Sequence, residues 1–170
     1  GIIRNVAAKY YEFADSVLDK VELKRNLHIQ NLLMAMQKKD PYTVGHLERT
    51  SNWAVAIAKQ LNLPEEAIKN IKTIGLLHDV GKIKISDTIL NKPGRLTPEE
   101  FDIVKTHTLE GCKLLASMHD TMDKQVYQFA YDICRHHHER FDGRGYPDGL
   151  MGNEIPIWSQ VAGLADVYDA

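Results

Sequence analysis

The stretch from Ile133 to Gly149, ICRHHHERFDGRGYPDG, sets three consecutive imidazoles ahead of a glycine-rich loop. Upstream, LLHDVGK places His78 beside Asp79, with Gly81 and Lys82 directly after. GHLERT carries His46, KTHTLEG carries His107 and LADVYDA carries Asp166. An adjacent His-Asp pair at the end of an element can aim an imidazole and a carboxylate into one cleft from a single backbone point. Asp166 lies on an apolar stretch, where an unpaired ionised carboxylate is costly to bury and a cation would offset the cost.

These residue types select a chemistry. Cys112 and Cys134 form no CxxC pair, which argues against a thiolate-rich zinc site and against a disulfide framework. Mixed imidazole and carboxylate donors suit iron, manganese, zinc, cobalt or nickel better than oxygen-only magnesium or calcium sites. Five histidines and two aspartates exceed what one ion takes, so two ions are the natural count. A carboxylate can bridge two cations through its two oxygens. Two bridged cations lower the pKa of a bound water and hold both oxygens of an in-line displacement, which is the chemistry of phosphate-ester hydrolysis.

Helices must position these groups. Residues 2–37 contain no Gly or Pro, and Ile2, Val6, Tyr10, Phe13, Val17 and Val21 recur every three or four positions. That predicts a long N-terminal helix, with residues 1–38 as a helix and linker ahead of a domain over 39–170. The stripe either relays a signal from an upstream domain, or pairs two subunits as a homodimer, or packs on its own domain. Leu32, Leu33 and Met36 are expected in the core. Asp40-Pro41 ends that helix, because a residue before Pro avoids the helical region. A helix is predicted from about His46 to Leu61. Pro64 with Glu65 and Glu66 starts another, expected to run to about Asp79 and stop near Gly81. Thr97 and Glu100 form a capping-box pattern. From about 98 to 138 the pattern is helical, with interruptions expected near Gly111 and Asp120. A Gly- and Pro-rich loop covers Asp142 to Pro156, and SQVAGLADVYDA returns to helix. That last helix shows no stop signal, so the domain is expected to be incomplete on its C-terminal side. No alternating strand pattern occurs, and the fold class is all-α, a helical bundle.

The bulk numbers exclude some classes. A formal net charge of -2 gives no sign of a nucleic-acid polymer or an anionic membrane as partner. No apolar run approaches the ~20 residues of a membrane span. The opening GIIRNVAAKYYEF has no basic region followed by an apolar one, so it does not read as a secretory signal. Two scattered cysteines fit a reducing cytoplasm. His28 and His119 have no motif around them and are expected at the surface.

HDVGK followed by HHERFDGRGYP resembles the HD-GYP family of bacterial cyclic-di-GMP phosphodiesterases, a branch of the HD metal-dependent phosphohydrolases. DPYTVGH, LLHDVGKIKISDTILNKPGRLTPEEF, KTHTLEG and ADVYDA extend the likeness from about Asp40 to the end of the chain. The resemblance implies an HD-domain helical bundle and a metal set of His46, His78, Asp79, His107, His137, His138 and Asp166. It makes Asp79 the bridge and His136 the spare imidazole. It implies two divalent ions, iron or manganese first, with zinc, nickel or cobalt also compatible. Some family members hold a third ion through a Glu four residues before the first ligand histidine; Tyr42 stands there here, which favours two. Asp79 and Lys82 are the expected catalytic residues, with Lys82 on the substrate phosphate. Gly145, Tyr146 and Pro147 are the expected substrate-binding turn, with Tyr146 stacking on guanine. Asp40, Glu139, Asp142 and Asp169 are expected to support the ligands and the loop. The implied substrate is cyclic-di-GMP, cleaved to pGpG and on to GMP. The rival readings are an HD phosphohydrolase for another nucleotide, such as a mixed cyclic dinucleotide, and a non-catalytic module that senses the nucleotide or binds a partner protein.

Overall fold

The computed structural model describes residues 27–40 and 43–170. The helical stripe upstream of Leu27 and the Tyr42 position lie outside the described residues. Eight α-helices follow in order among those described: α1 (Leu27–Lys39), α2 (Thr43–Gln60), α3 (Glu65–Ile74), α4 (Asp87–Leu90), α5 (Pro98–Lys105), α6 (His107–Ala116), α7 (Lys124–His136) and α8 (Ile157–Asp169). Short 3-10 turns join them at Gly75–Leu77, Val80–Lys84, His119–Thr121 and Gly152–Glu154. No strand occurs among the described residues; Asp142 and Met151 form one isolated antiparallel bridge. The fold is all-α.

Local chemistry explains the helix starts. Thr97 Oγ1 accepts the Glu100 amide at 3.2 Å, and the Glu100 carboxylate accepts the Thr97 amide at 2.7 Å, a closed capping box before Pro98. Asp123 caps α7 by accepting the amides of Gln125 and Val126 at 2.9 and 3.2 Å. Pro64 and Pro156 stand directly before α3 and α8.

Two apolar clusters hold the bundle. Leu33 and Met36 of α1 join Leu47, Leu76, Leu77, Val80, Leu115 and Ile133 in the larger one, and Leu32 packs against it. Ala54 and Ala58 of α2 meet Ile71 of α3 and Val161 and Ala165 of α8 in the other. Small side chains at that contact let α2 and α8 approach closely, and this carries His46 toward Asp166 and Asp169.

Two boundaries differ from expectation. The helix expected to reach Asp79 ends at Ile74, and tight 3-10 turns carry the chain through His78 and Asp79. The interruption expected at Gly111 is absent, because α6 runs straight through it. Glycine is there for contact: a Cβ at residue 111 would lie 2.3 Å from Cys134 Sγ. The real break in that region falls at Thr106, directly before His107. Gly81 has a comparable role, since its Cβ would fall 1.8 Å from the His107 carbonyl oxygen. The HDVGK turn and α6 therefore touch backbone to backbone.

Candidate metal centre

Five stretches converge on one point. His46 stands in the first turn of α2, His78 and Asp79 lie between two 3-10 turns, and His107 opens α6. His137 and His138 follow the end of α7, and Asp166 projects from α8. Asp79, His107, His137 and His138 offer ligand atoms that all lie within 4.8 Å of one another, and His46, His78 and Asp79 form a second group of the same kind. Asp79 belongs to both. Its Oδ1 lies 3.3 Å from His107 Nε2 and 3.8 Å from His137 Nε2, and its Oδ2 lies 3.3 Å from His78 Nε2. The two oxygens thus face opposite halves of the cluster. Asp166 Oδ1 closes the second half, 2.9 Å from His46 Nε2 and 3.6 Å from His78 Nε2.

The outer ring nitrogens fix the tautomers. His107 Nδ1 donates to the Val104 carbonyl at 2.7 Å, His137 Nδ1 to the Ile133 carbonyl at 2.9 Å, and His78 Nδ1 to the Gly75 carbonyl. A carbonyl only accepts, so each Nδ1 carries a hydrogen, and in the neutral ring Nε2 turns its lone pair inward. His46 Nδ1 meets Asp169 Oδ2 at 2.8 Å in the same way.

The donor set fits cations. His78, Asp79, His107 and His137 are each at most 3% exposed. His78 Nε2 and Asp79 Oδ1 are buried with no hydrogen-bond partner. Buried polar atoms left unpaired are expensive, and a cation between these lone pairs would satisfy them. The cluster can hold divalent metal.

Charge divides the two halves. Burial pushes His138 down to about 4, with His107 adding repulsion. Burial also lowers His107, and burial with repulsion from His138 and His78 holds His137 well below its ordinary range. These three imidazoles are neutral. In the other half, burial opposes the charge on His78, but the Asp79 and Asp166 carboxylates outweigh it and raise His78 to about 10. The hydrogen bond to Asp166 raises His46. Burial would raise Asp79, yet His78 and Lys82 hold it well below the carboxylate range. Asp166 is likewise lowered against its burial by the hydrogen bond from His46 and by the nearby His78.

The remaining expected residues surround this core. Lys82 Nζ donates to Asp79 Oδ2 at 2.5 Å. Burial opposes its charge, and Asp79 outweighs burial and raises it, with Asp40 contributing. Asp169 supports His46 and is itself gripped by Arg49, whose Nε lies 2.7 Å from Oδ1 and whose Nη2 lies 3.0 Å from Oδ2. Glu139 accepts the amides of Asp148, Gly149 and Leu150 at 2.7, 3.1 and 3.0 Å and so ties down the glycine-rich loop. Asp142 accepts the Arg144 amide at 3.0 Å within that loop. His136 turns away from the cluster, with Nε2 3.0 Å from Asp148 Oδ2. Arg135 holds the same carboxylate in a fork at 2.7 and 2.7 Å. His119 is exposed beside Asp120.

Tyr146 does not present a bare ring. It stacks on His138, centroids 4.8 Å apart at 26°, and meets Phe101 edge to face at 6.5 Å and 82°. The Tyr146-Pro147 peptide is cis. A Cβ at residue 145 would fall 2.3 Å from the Arg140 amide nitrogen, so glycine permits this tight path. A cleft of about 840 Å³ opens beside His137 and His138 and runs along the loop. Gly145 and Tyr146 line it, whereas Lys82 and Pro147 do not. Arg49, Arg135, Asp148, Phe101 and Lys105 were not anticipated. Only Arg49 left a trace in the sequence, three residues after His46 and so on the same helical face.

A family model described as HD domain matches residues 30–170. The chain belongs to the HD domain family. This HD domain is 38% identical over 159 residues to a cyclic di-GMP phosphodiesterase of Pseudomonas aeruginosa, covering 92% of the chain and 37% of that protein. It is 39% identical over 153 residues to the cyclic di-GMP phosphodiesterase response regulator RpfG of Xanthomonas campestris pv. campestris, covering 90% of the chain and 39% of the relative. It is also 34% identical over 160 residues to a 3′3′-cGAMP-specific phosphodiesterase of Vibrio cholerae serotype O1, covering 94% of the chain and 30% of the relative. The chain spans less than two fifths of the length of these curated relatives. No helix among the described residues is long and apolar enough to cross a membrane.

Proposed function

We propose that this HD domain hydrolyses cyclic-di-GMP to linear pGpG, and pGpG onward to GMP. The observation that carries the reading is Asp79, whose two oxygens face two separate sets of inward-turned nitrogens beside a cleft of dinucleotide size. His46, His78, Asp79 and Asp166 would hold one divalent ion, and Asp79, His107, His137 and His138 the other. Iron or manganese is the first choice for this donor set, with zinc, nickel or cobalt compatible. Bound there, the ions would supply an activated water and a counter-charge for the phosphate under attack.

The chain's own residues do the rest. The carbonyl-anchored imidazoles are held rigid and dry, so their geometry needs no reorganisation during the reaction. Lys82, beside Asp79, neutralises charge that grows on the phosphoryl oxygens. Water oxygen adds to phosphorus and the P–O3′ bond breaks, leaving a 3′-hydroxyl and a 5′-phosphomonoester. Glu139 and the Arg135-Asp148 pair hold the loop that places Tyr146 against His138. The names of the two cyclic di-GMP relatives support the substrate, and the response-regulator name of one, with the greater length of all three, supports a sensory or receiver domain, which we place upstream. We assign the reaction to the cytoplasm, where the buried thiols of Cys112 and Cys134 stay free.

A second reading, hydrolysis of the mixed dinucleotide 3′3′-cGAMP, is favoured by the likeness to the Vibrio cholerae protein. Chromatography of products from metal-loaded protein given each dinucleotide separates the two. Release of pGpG at the higher kcat/KM supports the first reading. Metal-loaded protein that turns over neither would refute both.

A further inference from the structure

A cyclic dinucleotide carries two phosphodiester groups on opposite sides of its ring. The metal centre deals with one of them. The other, still charged, must lie further along the cleft, where an anion needs a counter-charge held in place. Among the described residues three cationic side chains line that cleft: Lys105, Arg140 and Arg144. Arg144 is exposed, and the Arg140 side chain is 71% exposed with its Nε no nearer than 3.9 Å to Asp142. Neither is fixed toward the cleft.

Lys105 differs. It ends α5, directly before the Thr106-His107 junction, and its side chain is 33% exposed. Its Nζ lies 5.2 Å from the Phe101 ring centroid and 6.0 Å from that of Tyr146. Those rings stand at 82° to one another, and Tyr146 is anchored on His138. The two rings flank the ammonium at cation–π distance and bias it toward the cleft. Among the described residues it pairs with Asp102 Oδ1 at 2.5 Å, three residues back on the same helix. That carboxylate is 69% exposed, and such pairs are weak enough to yield to a phosphate.

We infer that Lys105 holds the second, non-scissile phosphate of the cyclic dinucleotide, with Phe101 and Tyr146 setting the position of its ammonium. This rests on the phosphodiesterase reading above. It also gives the aromatic pair a role apart from stacking on a base.

The test compares two substrates on metal-loaded protein. Cyclic-di-GMP has two phosphodiesters, and bis(p-nitrophenyl) phosphate has one. Lys105→Ala is expected to raise KM for cyclic-di-GMP by roughly 10-fold or more, the size of a lost charge-assisted contact. Its kcat/KM on bis(p-nitrophenyl) phosphate should match wild type, and Lys105→Arg should restore most of the KM. Added salt should raise the wild-type KM for cyclic-di-GMP more steeply than that of Lys105→Ala. An unchanged KM for cyclic-di-GMP in Lys105→Ala would overturn the inference. So would an equal loss on both substrates, which would mean that Lys105 acts through the centre or the fold. Wild-type protein that cleaves bis(p-nitrophenyl) phosphate but no cyclic dinucleotide would instead overturn the phosphodiesterase reading, and this inference with it.

Discussion

Asp169 Oδ2 lies 2.8 Å from His46 Nδ1, and the same carboxylate sits in the fork of Arg49. The hydrogen bond from Arg49 holds Asp169 below its ordinary pKa, so it is a charged acceptor for the imidazole. A carboxylate behind a ligand histidine orients the ring and raises its basicity, and losing one typically costs about 10- to 100-fold in metal affinity. Asp169→Ala should weaken one ion by that amount and leave the other unchanged. Arg49→Ala should do the same more mildly, since Arg49 is exposed. Chelator-competition titration reads both. Equal weakening of both ions would show that Asp169 supports the fold and not His46.

The two halves should empty at different pH. His107, His137 and His138 are lowered, His138 to about 4, so near neutrality no proton competes with metal there. His46 is raised and His78 is raised to about 10, so a metal in that half must displace protons. A raised pKa means that falling pH favours the proton, so the His46-His78 half should lose its ion first. As pH falls, bound metal should drop from about two ions per chain to about one before the second ion is lost. Simultaneous loss of both ions, followed by calorimetry or elemental analysis as pH is lowered, would contradict the division.

Glu139 accepts three amides from the segment just after Pro147. Glu139→Gln removes the charge and replaces one acceptor oxygen by a donor, at about 1.5–3 kcal/mol for each charged bond lost. The loop should loosen while the metal ligands stay put. KM for cyclic-di-GMP should rise several-fold with metal content unchanged, and limited proteolysis should begin within residues 140–152. Cleavage no faster than in wild type would remove Glu139 from this role.

Gly81→Ala tests the seam between the HDVGK turn and α6. The added carbon would sit 1.8 Å from the backbone oxygen of His107, so one backbone must move. The expected loss is about 3 kcal/mol, which lowers Tm by roughly 6–12 °C in a chain of this size. Calorimetric unfolding measures it. An unchanged Tm would mean that the seam yields freely and does not fix His107.

Much of this architecture is legible from punctuation. Pro64, Thr97 with Glu100, and Pro156 mark helix starts that the structure keeps. Gly111 misled, because glycine at a helix-helix contact has the same letter as glycine at a break; Cys134 decides between them and lies 23 residues away. The candidate ligands were legible because His78 and Asp79 are adjacent and because the later blocks follow in a known order. Of the supports, Asp169 and Glu139 were legible too, whereas Arg49, Arg135 and Asp148 were not. Arg49 gains meaning only when α8 docks on α2 and brings Asp169 to it. Lys105 looks like an ordinary end-of-helix cation until Phe101 and Tyr146 stand around it. Tyr146 read as a free platform, since nothing local says that His138 occupies its side. Each of these depends on which elements face one another, and single-chain periodicity does not carry that information.

Asp79 is placed to join two ions. This bridge is tested most directly by elemental analysis of protein purified without oxygen, comparing wild type with Asp79→Ala and His136→Ala. Wild type should carry two ions per chain, Asp79→Ala should lose both, and His136→Ala, in which the lost ring is one held by Asp148, should lose neither. A wild-type chain that saturates with one ion, or an Asp79→Ala chain that keeps a full ion in either half, would contradict the bridge.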